Sequence, residues 1–268
     1  MCNNIANGIS MNEWNRLVVK VGTSTVCHKN GAPNLYRLDL LCRTLSDIKN
    51  MGKEVVLVTS GAIGVGVNKL HLPERPKEIS RRQATASIGQ SELMRIYDRF
   101  LNDYGSIGGQ ILLTKDITEN SIAKANVIAT FNALLAMGAI PIVNENDSVA
   151  TEEIVYGDND TLSAVVASFT KADILILLTD IDGLYDKDPS CHPDATLIEM
   201  VTDISAVESL ASGSHTNQGT GGMITKIHAA KIANAEGIDM IVASGKDPRI
   251  LYDLLNGVPH GTMFQARR

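Results

Sequence analysis

One lysine stands inside an otherwise apolar run, Leu17-Val18-Val19-Lys20-Val21, where a charge is expensive unless it is paired or meets an anion. Phosphate is the anion that suits the place, because Gly22 follows and a residue without Cβ lets backbone N–H groups close on a phosphate. A lysine snorkelling from a strand end would look the same in isolation. A second lysine ends the string Gly219-Thr220-Gly221-Gly222-Met223-Ile224-Thr225-Lys226, a glycine-rich loop running into a helix. Free N–H groups and the macrodipole make such a helix start attractive to phosphate. The bland reading is a surface turn with an exposed lysine that contributes little to packing. The string is not a Walker A loop, since Thr225 stands where glycine must precede the lysine. No G-x-G-x-x-G follows a strand either, so a nicotinamide site is not supported.

Acids and amides supply the other half of the chemistry. Gly157-Asp158-Asn159-Asp160 precedes a helix, and capping that helix accounts for one of its two carboxylates. Two acids flanking an amide exceed what a cap needs, and a carboxylate that holds two lysines in position would suit phosphoryl transfer. Asp147, in Asn144-Glu145-Asn146-Asp147, reads either as a ligand group or as an Asx-turn. Thr179-Asp180 either brackets a nucleotide or turns the chain into Gly183-Leu184-Tyr185.

The elements that must position these residues follow from periodicity. Short apolar runs rich in β-branched residues predict strands over Leu17–Val21, Val55–Val58, Gln110–Leu113, Ile140–Val143, Ile174–Leu178 and Met240–Val242. Helical spacing predicts helices over Leu35–Met51, Ala62–Leu70, Ser80–Tyr104, Ser121–Met137, Thr161–Thr170, Met223–Glu236 and Ile250–Leu255. A turn-rich segment is expected from Asn144 to Asp158. Strands without polar alternation, separated by helices, imply a mostly parallel sheet covered on both faces, an αβα sandwich of α/β class. In such sheets ligands bind beyond the carboxyl ends of the strands. The loops after four of the strands are polar and glycine-rich: Lys20 to Ser24, Thr59-Ser60-Gly61-Ala62, Asn144 to Asp147, and Thr179 to Gly183.

With 268 residues, 44% of them hydrophobic and 20% charged, the chain is long enough for one compact domain, expected over 16–268 after a leader of residues 1–15. That leader lacks the basic and apolar stretches of a signal peptide, and no apolar run has membrane-spanning length, so a soluble cytoplasmic protein is expected. A net charge of -6 without basic blocks argues against nucleic acid and anionic membranes as partners. Four cysteines without C-x-x-C spacing and six histidines without H-E-x-x-H remove disulfide and zinc readings.

Taken together, V-V-K-V-G-T-S at 18–24, V-T-S-G-A-I at 58–63, N-E-N-D-S-V at 144–149, G-D-N-D at 157–160, L-L-T-D-I-D-G-L-Y at 177–185 and G-T-G-G-M-I-T-K at 219–226 resemble the glutamate 5-kinases of the amino-acid kinase family. The resemblance runs from about Leu17 to Phe264 in matching order. It implies ATP-dependent phosphorylation of the γ-carboxylate of L-glutamate, the first step of proline biosynthesis. Lys20, Gly22, Thr179, Asp180, Thr220, Gly221, Gly222, Met223, Ile224, Thr225 and Lys226 would contact ATP. Ser60, Gly61, Asp147, Asp158 and Asn159 would hold glutamate, with Asp147 at its ammonium group. Lys20 and Lys226 would stabilise the transferring phosphoryl, and Asp160 would orient both lysines. Mg2+ would be held mainly by ATP rather than by protein side chains. A homo-oligomer and feedback inhibition by proline also belong to the family picture. Many relatives continue into a PUA domain, whereas this chain ends at Arg268, so the kinase domain alone is expected. Asn126 matches the family while Val127 takes a usual arginine position, which weakens the carry-over to proline inhibition and oligomer contacts. Acetylglutamate, aspartate, carbamate and uridylate kinases share the first lysine loop, and a non-catalytic amino-acid or nucleotide sensor on the same scaffold is the alternative outside catalysis.

Overall fold

The computed structural model describes residues 14–149, 159–187, 189, 191–208 and 222–267, excepting the side chains of 115 and 116. Strands β1 (Arg16–Val21), β2 (Glu54–Val58), β3 (Ile107–Leu113), β4 (Ala139–Glu145), β5 (Ile174–Thr179), β6 (Met200–Val201), β7 (Asp239–Ser244) and β8 (Thr262–Phe264) form one sheet in the order β3-β4-β2-β1-β5-β7-β8-β6. The ladders are parallel except β7 with β8, so the sheet is mostly parallel and only its far edge reverses. Helices α1 (Thr23–Val26), α2 (Leu35–Asn50), α3 (Ala62–Lys69), α4 (Ile79–Asp103), α5 (Ser121–Ala136), α6 (Asn159–Thr170), α7 (Met223–Ala235) and α8 (Ile250–Leu255) connect them.

Each face of the sheet carries its own core. Leu17, Val19 and Val21 of β1 pack with Leu38, Leu41 and Leu45 of α2, Leu93 and Tyr97 of α4, and Leu251 of α8. Val18 points to the other face, among Leu162 and Val166 of α6, Phe131 of α5 and Ala229 of α7. Side chains alternate along a strand, so Lys20 emerges on the Val18 face, where α6 lies. That single register choice aims the lysine at the start of α6.

The four central strands β4, β2, β1 and β5 are neighbours whose carboxyl ends point the same way. Their following loops are the four polar loops singled out from the sequence. Helices α3 and α4 cross above this end of the sheet at glycines. A Cβ on Gly89 would lie 1.8 Å from the Ala62 carbonyl oxygen, and one on Gly66 would lie 2.0 Å from that of Thr85. Backbones this close admit no side chain, so α4 is held rigidly against α3.

The expected elements are present, with differences at their ends. β4 continues through Asn144 and Glu145, which the sequence reading placed in a turn-rich segment; both are buried and hydrogen-bonded in the ladder with β3. β3 begins at Ile107 rather than Gln110, because edge pairing accepts Gly108 and Gly109. The short α1, β6 and β8 carry too few residues to show a period.

Candidate active site

Helix α6 starts at Asn159, two residues before the Thr161 expected, and this puts Asn159 and Asp160 in its first turn. Asp160 is fully buried. One of its oxygens, Oδ1, pairs with the Lys20 ammonium, while Oδ2 lies 3.1 Å from Lys226 Nζ and accepts from Thr225 Oγ1 at 3.2 Å. Lys20 is 7% exposed and Lys226 5%, so two cations and one anion share a space that water barely reaches. The Lys226 side chain is therefore a buried one in the first turn of α7, and the exposed, packing-neutral lysine of the bland sequence reading is corrected. Burial alone would raise the Asp160 pKa; the two ammonium groups beside it more than offset this and hold it below the usual carboxylate range. Among the described residues one carboxylate is shared by two ammonium groups, a setting that attracts an incoming anion.

Beside it lies a neutral amide network. Asn159 Nδ2 donates to Ser60 Oγ at 2.9 Å, to Asn144 Oδ1 at 2.8 Å and to the Thr59 carbonyl oxygen. Two hydrogens serve three acceptors, so one is shared. Asn144 Oδ1 also accepts from the Glu145 backbone N–H at 2.9 Å, and Asn144 Nδ2 donates to Gln90 Oε1 of α4 at 2.8 Å. Thr59 is tied to α4 as well, its hydroxyl 2.7 Å from that of Tyr97. Gly61 follows with φ +96°, a left-handed conformation that glycine adopts without strain, and it turns β2 sharply into α3.

Asp147 is half-buried, and burial raises its pKa, with Arg75 and Arg82 opposing the rise. Ser148 beside it meets Ser87 of α4 at 2.8 Å. The structure thus brings Ser60, Asn159, Lys20, Asp160, Thr225 and Lys226 into one continuous set of contacts. Asp147 sits on the loop that follows β4 from Asn146.

The remaining residues flank this set. A Cβ on Gly22 would lie 3.9 Å from Lys20 Nζ and from Ser24 Oγ, an ordinary contact distance, and among the described residues nothing lies within 4 Å of one on Gly222. Met223 rests against the α6-side core, whereas Ile224 is 62% exposed. Thr179 turns its hydroxyl back onto its own loop, accepting from Ile181 N–H at 3.0 Å, and Asp180 is exposed. Asp158, Thr220 and Gly221 lie outside the described residues.

The amino acid kinase family model matches residues 15–244. "Glutamate 5-kinase" of Clostridium perfringens is 51% identical over 97% of this chain and 98% of its own length; that of Listeria innocua is 49% identical over 97% and 96%. The chain belongs to the amino acid kinase family and, within it, to the glutamate 5-kinases. Solved structures of other kinases share the fold at low identity. The carbamate kinase of Giardia lamblia superposes with a TM-score of 0.69 at 16% identity, covering 96% of this chain and all of that one. The UMP kinase of Bacillus anthracis gives 0.66 at 14% identity, covering 95% and 97%.

In this member of the glutamate 5-kinases, sequence reasoning missed Asn144, Gln90 and Tyr97 as neighbours of the site, and Arg75 and Arg82 as neighbours of Asp147. Gln90 and Tyr97 stand seven residues apart on one face of α4 among apolar side chains, and that polar interruption of a buried face was the available signal. The arginines carried none, being one charge each in a charged surface segment.

Proposed function

We propose that this chain transfers the γ-phosphoryl group of ATP to the γ-carboxylate of L-glutamate, giving L-glutamyl 5-phosphate, the first intermediate of proline biosynthesis. The observation that carries the proposal is Asp160 holding Lys20 and Lys226 together one residue away from Asn159, whose amide is joined to Ser60. A phosphate-handling pair of cations and an amino-acid pocket then meet at one helix start. The glutamate 5-kinases to which the chain is half identical over nearly its whole length support the choice of substrate.

The chemistry needs no base. The γ-carboxylate is ionised at neutral pH, so an oxygen lone pair attacks phosphorus directly while the bond to the ADP oxygen breaks and its electrons leave with ADP. What remains to be overcome is the repulsion between two anions. Lys20 and Lys226 meet it, positioned where the transferring oxygens gather charge. Asp160 keeps both ammonium groups in place, and since both of its oxygens are engaged it acts as an orienter. Ser60, Asn159 and Asp147 hold glutamate, Asp147 at the ammonium group, with Gly61 and Asp158 beside them. Gly22, Thr179, Asp180 and the segment Thr220 to Thr225 complete the ATP site. Mg2+ carried on the ATP phosphates would neutralise part of their charge; a cluster already holding Lys20 and Lys226 suits an ion so carried rather than one caged by side chains.

No described helix is long and apolar enough to cross a membrane. We place the enzyme in the cytoplasm as a homo-oligomer on the strength of the family resemblance, with proline as a candidate feedback inhibitor to be tested. The test is ATP turnover with glutamate, N-acetylglutamate, aspartate, carbamate and UMP in turn, the acyl phosphate being trapped with hydroxylamine. Glutamate-dependent ADP release with matching hydroxamate is expected. Turnover on UMP or carbamate instead, or ATP binding without any acceptor-dependent turnover, would count against the proposal.

A further inference from the structure

Gln90 is 9% exposed, and its Nε2 has no hydrogen-bond partner among the described residues. An amide is ambiguous when its oxygen and nitrogen can be exchanged, but here the exchange is forbidden. The Glu145 backbone N–H can only donate, so the atom of Asn144 that it meets is Oδ1, and Nδ2 of Asn144 faces Gln90. The Thr59 carbonyl can only accept, so Asn159 meets it with Nδ2. With both ends of the relay anchored on backbone groups, Gln90 must offer Oε1 to Asn144. Its donor end is left over, and a buried donor without a partner is costly unless an acceptor arrives.

Resting on the glutamate reading above, we infer that Gln90 is a substrate-binding residue whose Nε2 donates to the α-carboxylate of glutamate. Three features of that substrate need partners. Asp147 takes the ammonium group, and Lys20 and Lys226 take the γ-carboxylate end with the phosphoryl. The α-carboxylate has two oxygens and takes several donors, of which the Ser60 hydroxyl supplies one, and Gln90 belongs to the relay that already joins Asn144, Asn159 and Ser60. Helix α4 holds the side chain there, pinned by the Gly66 and Gly89 crossing one residue away. The Asn144 contact keeps the amide plane from rotating.

The experiment compares L-glutamate with 4-aminobutyrate, which keeps the ammonium group and the reacting carboxylate but lacks the α-carboxylate. In the unmodified chain 4-aminobutyrate, measured as substrate or as competitor, is expected to bind at least about tenfold more weakly than glutamate. In Gln90→Leu or Gln90→Met the glutamate KM rises about tenfold or more, while 4-aminobutyrate binding and the ATP KM hold, so the preference shrinks. If both amino acids weaken by the same factor, Gln90 merely holds Asn144 and the inference is overturned. Equal binding of the two by the unmodified chain overturns it without any variant. Failure of the unmodified chain to use glutamate at all overturns the functional proposal, and this inference with it.

Discussion

Two adjacent residues at one helix start, Asp160 and Asn159, organise two unlike halves of the site. On the phosphoryl side Asp160 binds two ammonium groups in a nearly dry pocket, and the interactions are ionic, strong and only loosely directional. On the amino-acid side Asn159 joins a chain of neutral amides, where each bond is modest but each fixes which atom faces which way. The contrast matches the tasks. Stabilising charge that appears in a transition state needs fixed cations, whereas choosing one small amino acid over another needs oriented donors and acceptors. Damage on the first side should therefore appear in kcat, and damage on the second in the glutamate KM.

The largest effect expected is from Asp160→Asn, which removes the anion that two buried lysines share. Turnover should fall by about a thousandfold, and stability by roughly 3–5 kcal/mol, because an uncompensated buried charge is the costly outcome. Steady-state kinetics with denaturant unfolding would measure both. A stable variant that loses only glutamate affinity would reverse the assignment of sides. Lys226→Met separates the two costs. Turnover drops about a hundredfold or more, yet Asp160 stays paired with Lys20, so the melting temperature should fall far less than in Asp160→Asn. A large loss of stability would mean that Lys226 is chiefly structural.

Asp147→Ala acts on the other half. The glutamate KM should rise about ten- to a hundredfold with kcat and the ATP KM within about threefold, as expected for one charged hydrogen bond lost in binding. An unchanged glutamate response with weaker ATP use would remove Asp147 from the amino-acid pocket.

The two halves also differed in how far the sequence disclosed them. A lysine within Leu17–Val21 and a lysine behind a glycine loop are anomalies of residue type, and anomalies show without a structure. The fold was equally open to reading, because unbroken apolar strands between helices leave few architectures and loops after parallel strands share one end. The convergence of Lys20, Asp160 and Lys226, 140 and 66 residues apart, needed the register of β1 and the early start of α6. Gln90 gave only a faint one, a polar side chain on the buried face of α4, and Asn144 gave none. Amides are ordinary surface residues, and their burial here comes from a glycine-to-glycine helix crossing whose closeness no local pattern predicts. Lys226 looked exposed because its burial depends on the packing of α7 against α6, which the glycine loop before it does not disclose.

Acid should part the two halves by a smaller margin. Asp160 is held below the usual carboxylate range, so its pairing contributes stability that is complete above the unfolded carboxylate pKa and is lost only as pH falls through its depressed folded value. Asp147 is shifted the other way by burial: its ionised form is disfavoured in the folded chain, and it takes up its proton at a higher pH than an unfolded aspartate does. An ionised Asp147 is what attracts the substrate ammonium. As pH is lowered, the glutamate KM should thus begin to climb, by at most about tenfold per pH unit for a single proton, while kcat and the fold are still intact. Asp147→Asn should abolish that climb, leaving a glutamate KM already raised and flat over the same range. Parallel KM and kcat profiles in the unmodified chain, or a climb that survives in the asparagine variant, would show that a different group titrates.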